Sequence, residues 1–267
     1  MSENENKKIR PILNSISKNN MLKRSDIQQV IKEYNKGHKV YLRDASYDFC
    51  YSYFQQNRGN LSSNMEHSCW VLWGYLASWG MLRGSSELLN LSPAALKPLI
   101  EYFDELGDTI WDTDVPMYTD TKVVQTIKDV HARIVEILEY KEMNVSATNT
   151  LVTKIMMGVF GCVPAFDANF TATFQDVLRN VKRRSYYFNQ SKPLMNESLE
   201  YLYKFYIENE AVLNNKEIYA FDFDGKITSC KYKIAKLIDM YGFSVEANRI
   251  KAEKEAKAVN KKLQKED

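Results

Sequence analysis

The clearest hydrophobic pattern along the chain is in "TKVVQTIKDVHARIVEILEYKE", where apolar residues fall at 123, 124, 127, 130, 134, 135 and 138. That spacing predicts an amphipathic helix with one buried face. Similar signals recur along most of the chain. "SDIQQVIKEYNKG" opens on a Ser-Asp cap and closes on Gly37, and "ASYDFCYSYFQQNRG" is an aromatic helix candidate. "NMEHSCWVLWGYLASWGMLRGSS" predicts a long buried helix ending near Gly84. In "SPAALKPLIEYFDELGDTIWD", Ser92 precedes Pro93, the expected order at a helix start. "NTLVTKIMMGVFG" and "ANFTATFQDVLRNVKRRSYYF" flank Pro164 and predict consecutive helices over 150–160 and 168–184. "NESLEYLYKFYIENEAVLNN" is another, and a short hairpin fits 217–232. The fold class expected is mainly α, a single compact multi-helix fold. Residues 1–24 form a flexible start, 25–245 the helical domain, and 246–267 a charged helix or tail.

Composition agrees with long helices. Glycine and proline number only 10 and 6, too few for a loop-rich β protein. The formal net charge is +2, so overall charge neither requires nor excludes a nucleic-acid partner. The four cysteines, Cys50, Cys69, Cys162 and Cys230, are widely spaced and read as reduced thiols. The N-terminus lacks an apolar signal core, and polar residues interrupt the aromatic stretch at 68–82. These features predict a cytoplasmic monomer with no membrane contact. His131, on a helix among apolar neighbours, reads as a core or boundary histidine, and His38 and His67 have no metal-like partners at helical spacing, so neither metal nor cofactor is expected.

Two stretches carry candidate chemistry. "YAFDFDGKIT" resembles the first motif of the haloacid dehalogenase superfamily, in which an apolar strand leads to D-x-D-G-T. The resemblance implies Asp222 as nucleophile and Asp224 as acid/base. Lys226 occupies the motif's Thr position, however, and the surrounding chain lacks the β-α alternation of that fold. An acidic turn with Gly225 at the bend accounts for the stretch.

The second stretch is "TKIMMGVFGCVPAFDANF", where Asp167 precedes a helix and suits an N-cap. Helix "TKIMMGVFG", loop "CVPA" and dipeptide "FD" resemble an element of the helix-hairpin-helix DNA glycosylase superfamily, including its divergent 8-oxoguanine branches. "YLASWGMLRGSS", "TKIMMGVFGCVPAFD" and "KLIDMY" also resemble a group of uncharacterised bacterial helical proteins. The glycosylase resemblance implies a DNA partner and Asp167 as the catalytic carboxylate that stabilises a sugar cation. It marks Lys154 as a second catalytic candidate, a Schiff-base lysine in bifunctional members. A phosphate contact or exposed helix residue is the plainer reading of Lys154, so a monofunctional hydrolase is expected. The segment "KEMNVSATNT" has no glycine, and Ser146, Thr148 and Thr150 stand where the family's hairpin holds a DNA phosphate. Arg179, Lys182, Arg183 and Arg184 are further phosphate candidates, and Tyr75, Trp79 and Arg83 are candidates for a base pocket. The alternative is a non-enzymatic helical DNA- or protein-binding module in which Asp167 is a cap alone.

Overall fold

The computed structural model describes residues 24–84, 86–140 and 143–266. Residues 1–23 of the expected flexible start lie outside the described residues. The helices are α1 (Arg24–Gly37), α2 (Ala45–Gln56), α3 (Met65–Ser78), α4 (Lys97–Glu105), α5 (Asp108–Asp112) and α6 (Thr121–Glu139). They continue with α7 (Asn149–Phe160), α8 (Ala168–Val177), α9 (Arg184–Tyr187), α10 (Asn196–Leu213) and α11 (Ile234–Glu266). Strands β1 (Tyr219–Phe221) and β2 (Ile227–Lys231) form an antiparallel hairpin between α10 and α11.

Helix α7 is the centre of the core. All twelve of its residues are buried, as expected of a helix that is apolar nearly all round. Thr148 caps its start, where Oγ1 accepts from the Leu151 N–H at 3.2 Å. Gly161 ends it in the left-handed region at φ 62°, donating back to the Met156 and Met157 carbonyls. Helices α2, α3, α5 and α6 pack around it. The contact with α3 is close enough to require glycine: a Cβ on Gly158 would lie 2.5 Å from the Tyr75 ring.

The amphipathic face of α6 is observed as expected, with Val123, Ile127, Val130, Ile134 and Leu138 buried. Two other helices are shorter than their sequences suggest. Helix α3 stops at Ser78 because Gly80 adopts φ +77°, and the Met81 and Gly80 N–H groups fold back onto the Leu76 and Ala77 carbonyls. This is a Schellman ending. Helix α8 stops at Val177, not near 184. The core needs both Leu178 and Phe188, which are 4% and 0% exposed. A straight helix would carry Phe188 away from Phe166, Phe170 and Phe174, on which its ring packs. The chain therefore turns at Arg183 (φ 60°), and Gln175 Nε2 ties down the Phe188 carbonyl at 2.7 Å.

Helix α11 begins inside the body and packs on α8, α1 and α10. Asp114 caps it from another segment, accepting from the Ile234 and Ala235 N–H groups at 2.8 and 2.9 Å. Its packing on α8 is tight, since a Cβ on Gly242 would come within 2.4 Å of Phe170. Thr173 Oγ1 donates to the Gly242 carbonyl at 2.7 Å. The charged segment after 245 is a continuation of this helix, with residues 251–258 exposed.

The only sheet among the described residues is the two-stranded hairpin. Asp222 closes its turn: its N–H donates to the Lys226 carbonyl, and its Oδ1 accepts from the Lys226 N–H, both at 2.8 Å. Gly225 sits at φ +79°. A haloacid dehalogenase nucleophile strand needs a parallel sheet around it, and here the stretch is an acidic turn. No described helix is long and apolar enough to cross a membrane.

Candidate active site

The loop 161–167 between α7 and α8 is pinned from three sides. Thr153 Oγ1 accepts from the Phe166 N–H at 2.9 Å, and Thr150 Oγ1 donates to the Phe166 carbonyl at 2.7 Å. Asp239, on α11, accepts from the Ala165 N–H at 3.0 Å. These bonds fix Asp167 at the start of α8. Its Oδ1 accepts from the Phe170 N–H at 2.9 Å, so the expected cap is present.

Its other oxygen does something a cap does not need. Asp167 Oδ2 lies 3.5 Å from Lys154 Nζ, on the central helix. The two side chains are 17% and 5% exposed, so Lys154 is not a surface residue. Its ammonium also donates to the Trp79 carbonyl at 3.0 Å. Burial pushes the Asp167 carboxyl above its ordinary range, with Asp239 adding to the rise while Lys154 and the Phe170 N–H oppose it. Burial pushes the Lys154 amine below its ordinary range, opposed by Asp167 and Asp239. Each partner is displaced toward its neutral form by loss of water.

A second pair lies beside the first. Lys236 Nζ donates to Asp239 Oδ2 at 3.0 Å, and the two side chains are 3% and 14% exposed. Trp79 stands among the cations. Arg43 Cζ lies 4.7 Å from its ring centroid, Lys154 Nζ 5.5 Å and Lys236 Nζ 5.7 Å, and the Phe243 ring meets it edge-on. The indole Nε1 is buried with no hydrogen-bond partner. Trp79, Lys154, Asp167, Lys236, Asp239 and Phe243 enclose, with Tyr75 and Ala165, a cavity of about 10 Å³, the size for one water. Above it opens a cleft of about 370 Å³, reached by Asp167 and Lys154 and walled by Arg43, Trp79, Arg83, Thr150 and Gln190.

The structure thus brings Asp167, Lys154, Trp79, Arg83 and Thr150 to one cleft. Tyr75 lies deeper, 4% exposed, as a wall against Gly158. Ser146 and Thr148 are exposed, but the Ser146 N–H donates to Glu87 and the Thr148 hydroxyl caps α7. Arg179, Lys182, Arg183 and Arg184 are exposed and do not line the cleft. They follow the far end of α8, roughly 15 Å from Asp167 at 1.5 Å per residue. His131 is buried against Asn149 Oδ1 at 3.0 Å, a core histidine whose burial lowers its pKa. No group of three or more metal-binding side chains occurs among the described residues.

Sequence reasoning missed Arg43, Lys236, Asp239 and Phe243. For Lys236 and Asp239 a signal existed, because "IAKLIDMYGF" places two charges on an apolar helix segment. No protein-family model matches the chain, and no curated protein or solved structure matches it significantly.

Proposed function

We propose that the chain is a DNA base-excision glycosylase that hydrolyses the N-glycosidic bond of a flipped base, with Asp167 as the catalytic carboxylate. The observation that carries this is the convergence of Asp167 and Lys154 at the floor of an open cleft walled by Arg43, Arg83 and Trp79. Cleavage of the bond leaves positive charge on the sugar. A carboxylate aimed into a partly dry cleft stabilises that charge and orients water for attack at C1′. The Phe170 N–H holds Asp167 Oδ1, so the aim of Oδ2 is preset. Arg43 and Arg83 are placed for phosphates of the entering strand. A module in which Asp167 is a cap alone needs neither the buried lysine nor the second carboxylate of Asp239.

One observation favours an added lyase step. Lys154 is buried and its pKa is lowered, which raises the fraction of free amine able to attack the sugar aldehyde. The test is abasic-site formation on paired, bulged and single-stranded DNA carrying normal and modified bases, with Asp167→Asn beside the wild type. Borohydride trapping of the wild type and Lys154→Gln accompanies it. Base release by the wild type, lost in Asp167→Asn, supports the assignment. Release at equal rates by a folded Asp167→Asn protein, or release from none of these substrates, overturns it.

A further inference from the structure

A second cavity among the described residues lies next to the cleft. It is a groove of about 660 Å³ between α2 and α3, a size common for ligand sites. One face of α3 forms a wall, with Trp70, Gly74 and Ser78 one turn apart. Ser46, Phe49 and Tyr53 of α2 form the other, and the loop at 40–43 and the hairpin tip at Asp222 and Phe223 close one end. The groove and the cleft share Arg43 and Ser78, so the two adjoin at these residues.

Three large rings at the groove serve no core. Tyr41 is 81% exposed, Trp70 55% and Phe223 84%. The Phe223 ring projects from the hairpin tip to within 5.3 Å of the Phe49 centroid. Gathered aromatic exposure of this kind marks a binding surface. Gly74 leaves the α3 backbone bare, since a Cβ there would meet nothing within 4 Å. The result is a flat shelf between Trp70 and Ser78.

We infer that this groove holds a nucleobase: that of the nucleotide adjoining the target on the same strand, unstacked together with it. This rests on the glycosylase reading. Aromatic walls and a flat shelf suit a planar ring. Arg43, shared by the groove and the cleft, takes the phosphate between the two nucleotides. The hairpin that resembles a phosphatase motif thereby becomes a rim that presents Phe223. The preferred substrate is a strand in which two neighbouring bases are free to leave the stack, as in a bulge, a bubble or single-stranded DNA.

The test uses the full chain and single-stranded oligonucleotides carrying a tetrahydrofuran abasic analogue, with 2-aminopurine placed immediately 5′ or 3′ of it. Binding should quench the fluorophore on one side only. Trp70→Ala and Phe223→Ala, at exposed positions, should each weaken binding about tenfold and restore fluorescence, the scale of losing one stacking ring. Gly74→Leu, which fills the shelf, should do the same. Unchanged fluorescence on both sides, or unchanged affinity in all three variants, overturns the inference. Equal quenching of free 2-aminopurine riboside would assign the groove to a free base and also overturn it. Where base release persists and the fluorescence result is negative, only the groove assignment fails. Where no paired, bulged or single-stranded substrate releases a base, the glycosylase reading itself fails.

Discussion

Replacing Asp167 by Asn separates a cap from a catalytic carboxylate, and the structure sets the size of the effect. Asn still accepts from the Phe170 N–H, so capping alone predicts almost no change in stability. The buried lysine changes this expectation. Lys154 Nζ would lose a carboxylate at 3.5 Å and keep the Trp79 carbonyl at 3.0 Å, with Asp239 as the next anion. Removing one partner of a fully buried pair costs about 3–5 kcal/mol. Asp167 is 17% exposed and Lys154 can release its proton, so we expect about 1–3 kcal/mol at neutral pH. For a chain of this size that lowers Tm by roughly 3–10 °C. Asp167→Ala should lose about 1 kcal/mol more with the cap.

The pH dependence follows from the direction of the Lys154 shift. Its folded pKa lies below the ordinary 10.5, so between the two values the unfolded chain binds more protons than the folded one. Stability therefore rises with pH across that window. Without Asp167, which raises the Lys154 pKa, the window widens, and the Asn deficit should shrink toward alkaline pH. Asp167, raised by burial, also favours its neutral form when folded, so the pair as a whole costs stability. The double variant Lys154→Met/Asp167→Asn should regain at least wild-type stability while remaining inactive. The assay is urea denaturation at pH 7 and 10, followed by circular dichroism, with base release measured in parallel. Release should fall about 10²–10³-fold in Asp167→Asn. A deficit that grows with pH, or a double variant less stable than Asp167→Asn, would refute the account of the pair.

Asp239→Asn keeps the acceptor for the Ala165 N–H but removes a charge that raises the Asp167 pKa, so the acid limb of the base-release profile should move to lower pH. Asp239→Ala also frees the loop and should lose rate about tenfold or more, while an unmoved acid limb in the Asn variant would argue against electrostatic coupling. Gly242→Ala should destabilise by about 1–3 kcal/mol in urea titrations, because its Cβ would collide with Phe170 at 2.4 Å. Asp222→Asn should leave base release within about twofold, because Asn preserves the turn acceptor and the residue stands outside the chemistry. Phosphatase turnover abolished by that change alone would reverse the ranking of the two motifs.

Local signals were legible where the residues that set a structure lie close together in sequence. The apolar face of α6, the helix over 150–160 and the Asp167 cap are of this kind. The end of α8 was overextended because distant packing decides it: Phe188 must return to the phenylalanine cluster. The end of α3 was overextended although its stop is local, because Gly80 and Gly84 both offered a place for it and Gly80 takes it. The surroundings of Asp167 were legible only in part. Lys154 was visible as a charge inside "TLVTKIMMGVF", but nothing local says that it faces Asp167 rather than solvent. Arg43, Asp239 and Phe243 enter from elements far away in the chain, and no periodicity carries that information.

The position of α11 has a consequence in time. The Tyr232 hydroxyl, just ahead of this helix, bonds to Asp48, 184 positions earlier, and Phe243 meets the Arg43 guanidinium. During synthesis the cleft therefore stays incomplete until α11 has emerged and docked, long after Lys154 and Asp167 have been made. The same order runs backwards under stress. Partial unfolding that releases α11 takes Asp239 from the Ala165 loop and opens the Trp79 cavity, while α2, α3, α6 and α7 can remain packed. Function would then disappear ahead of helicity, and inactivation would report the docking of one helix, not the melting of the whole.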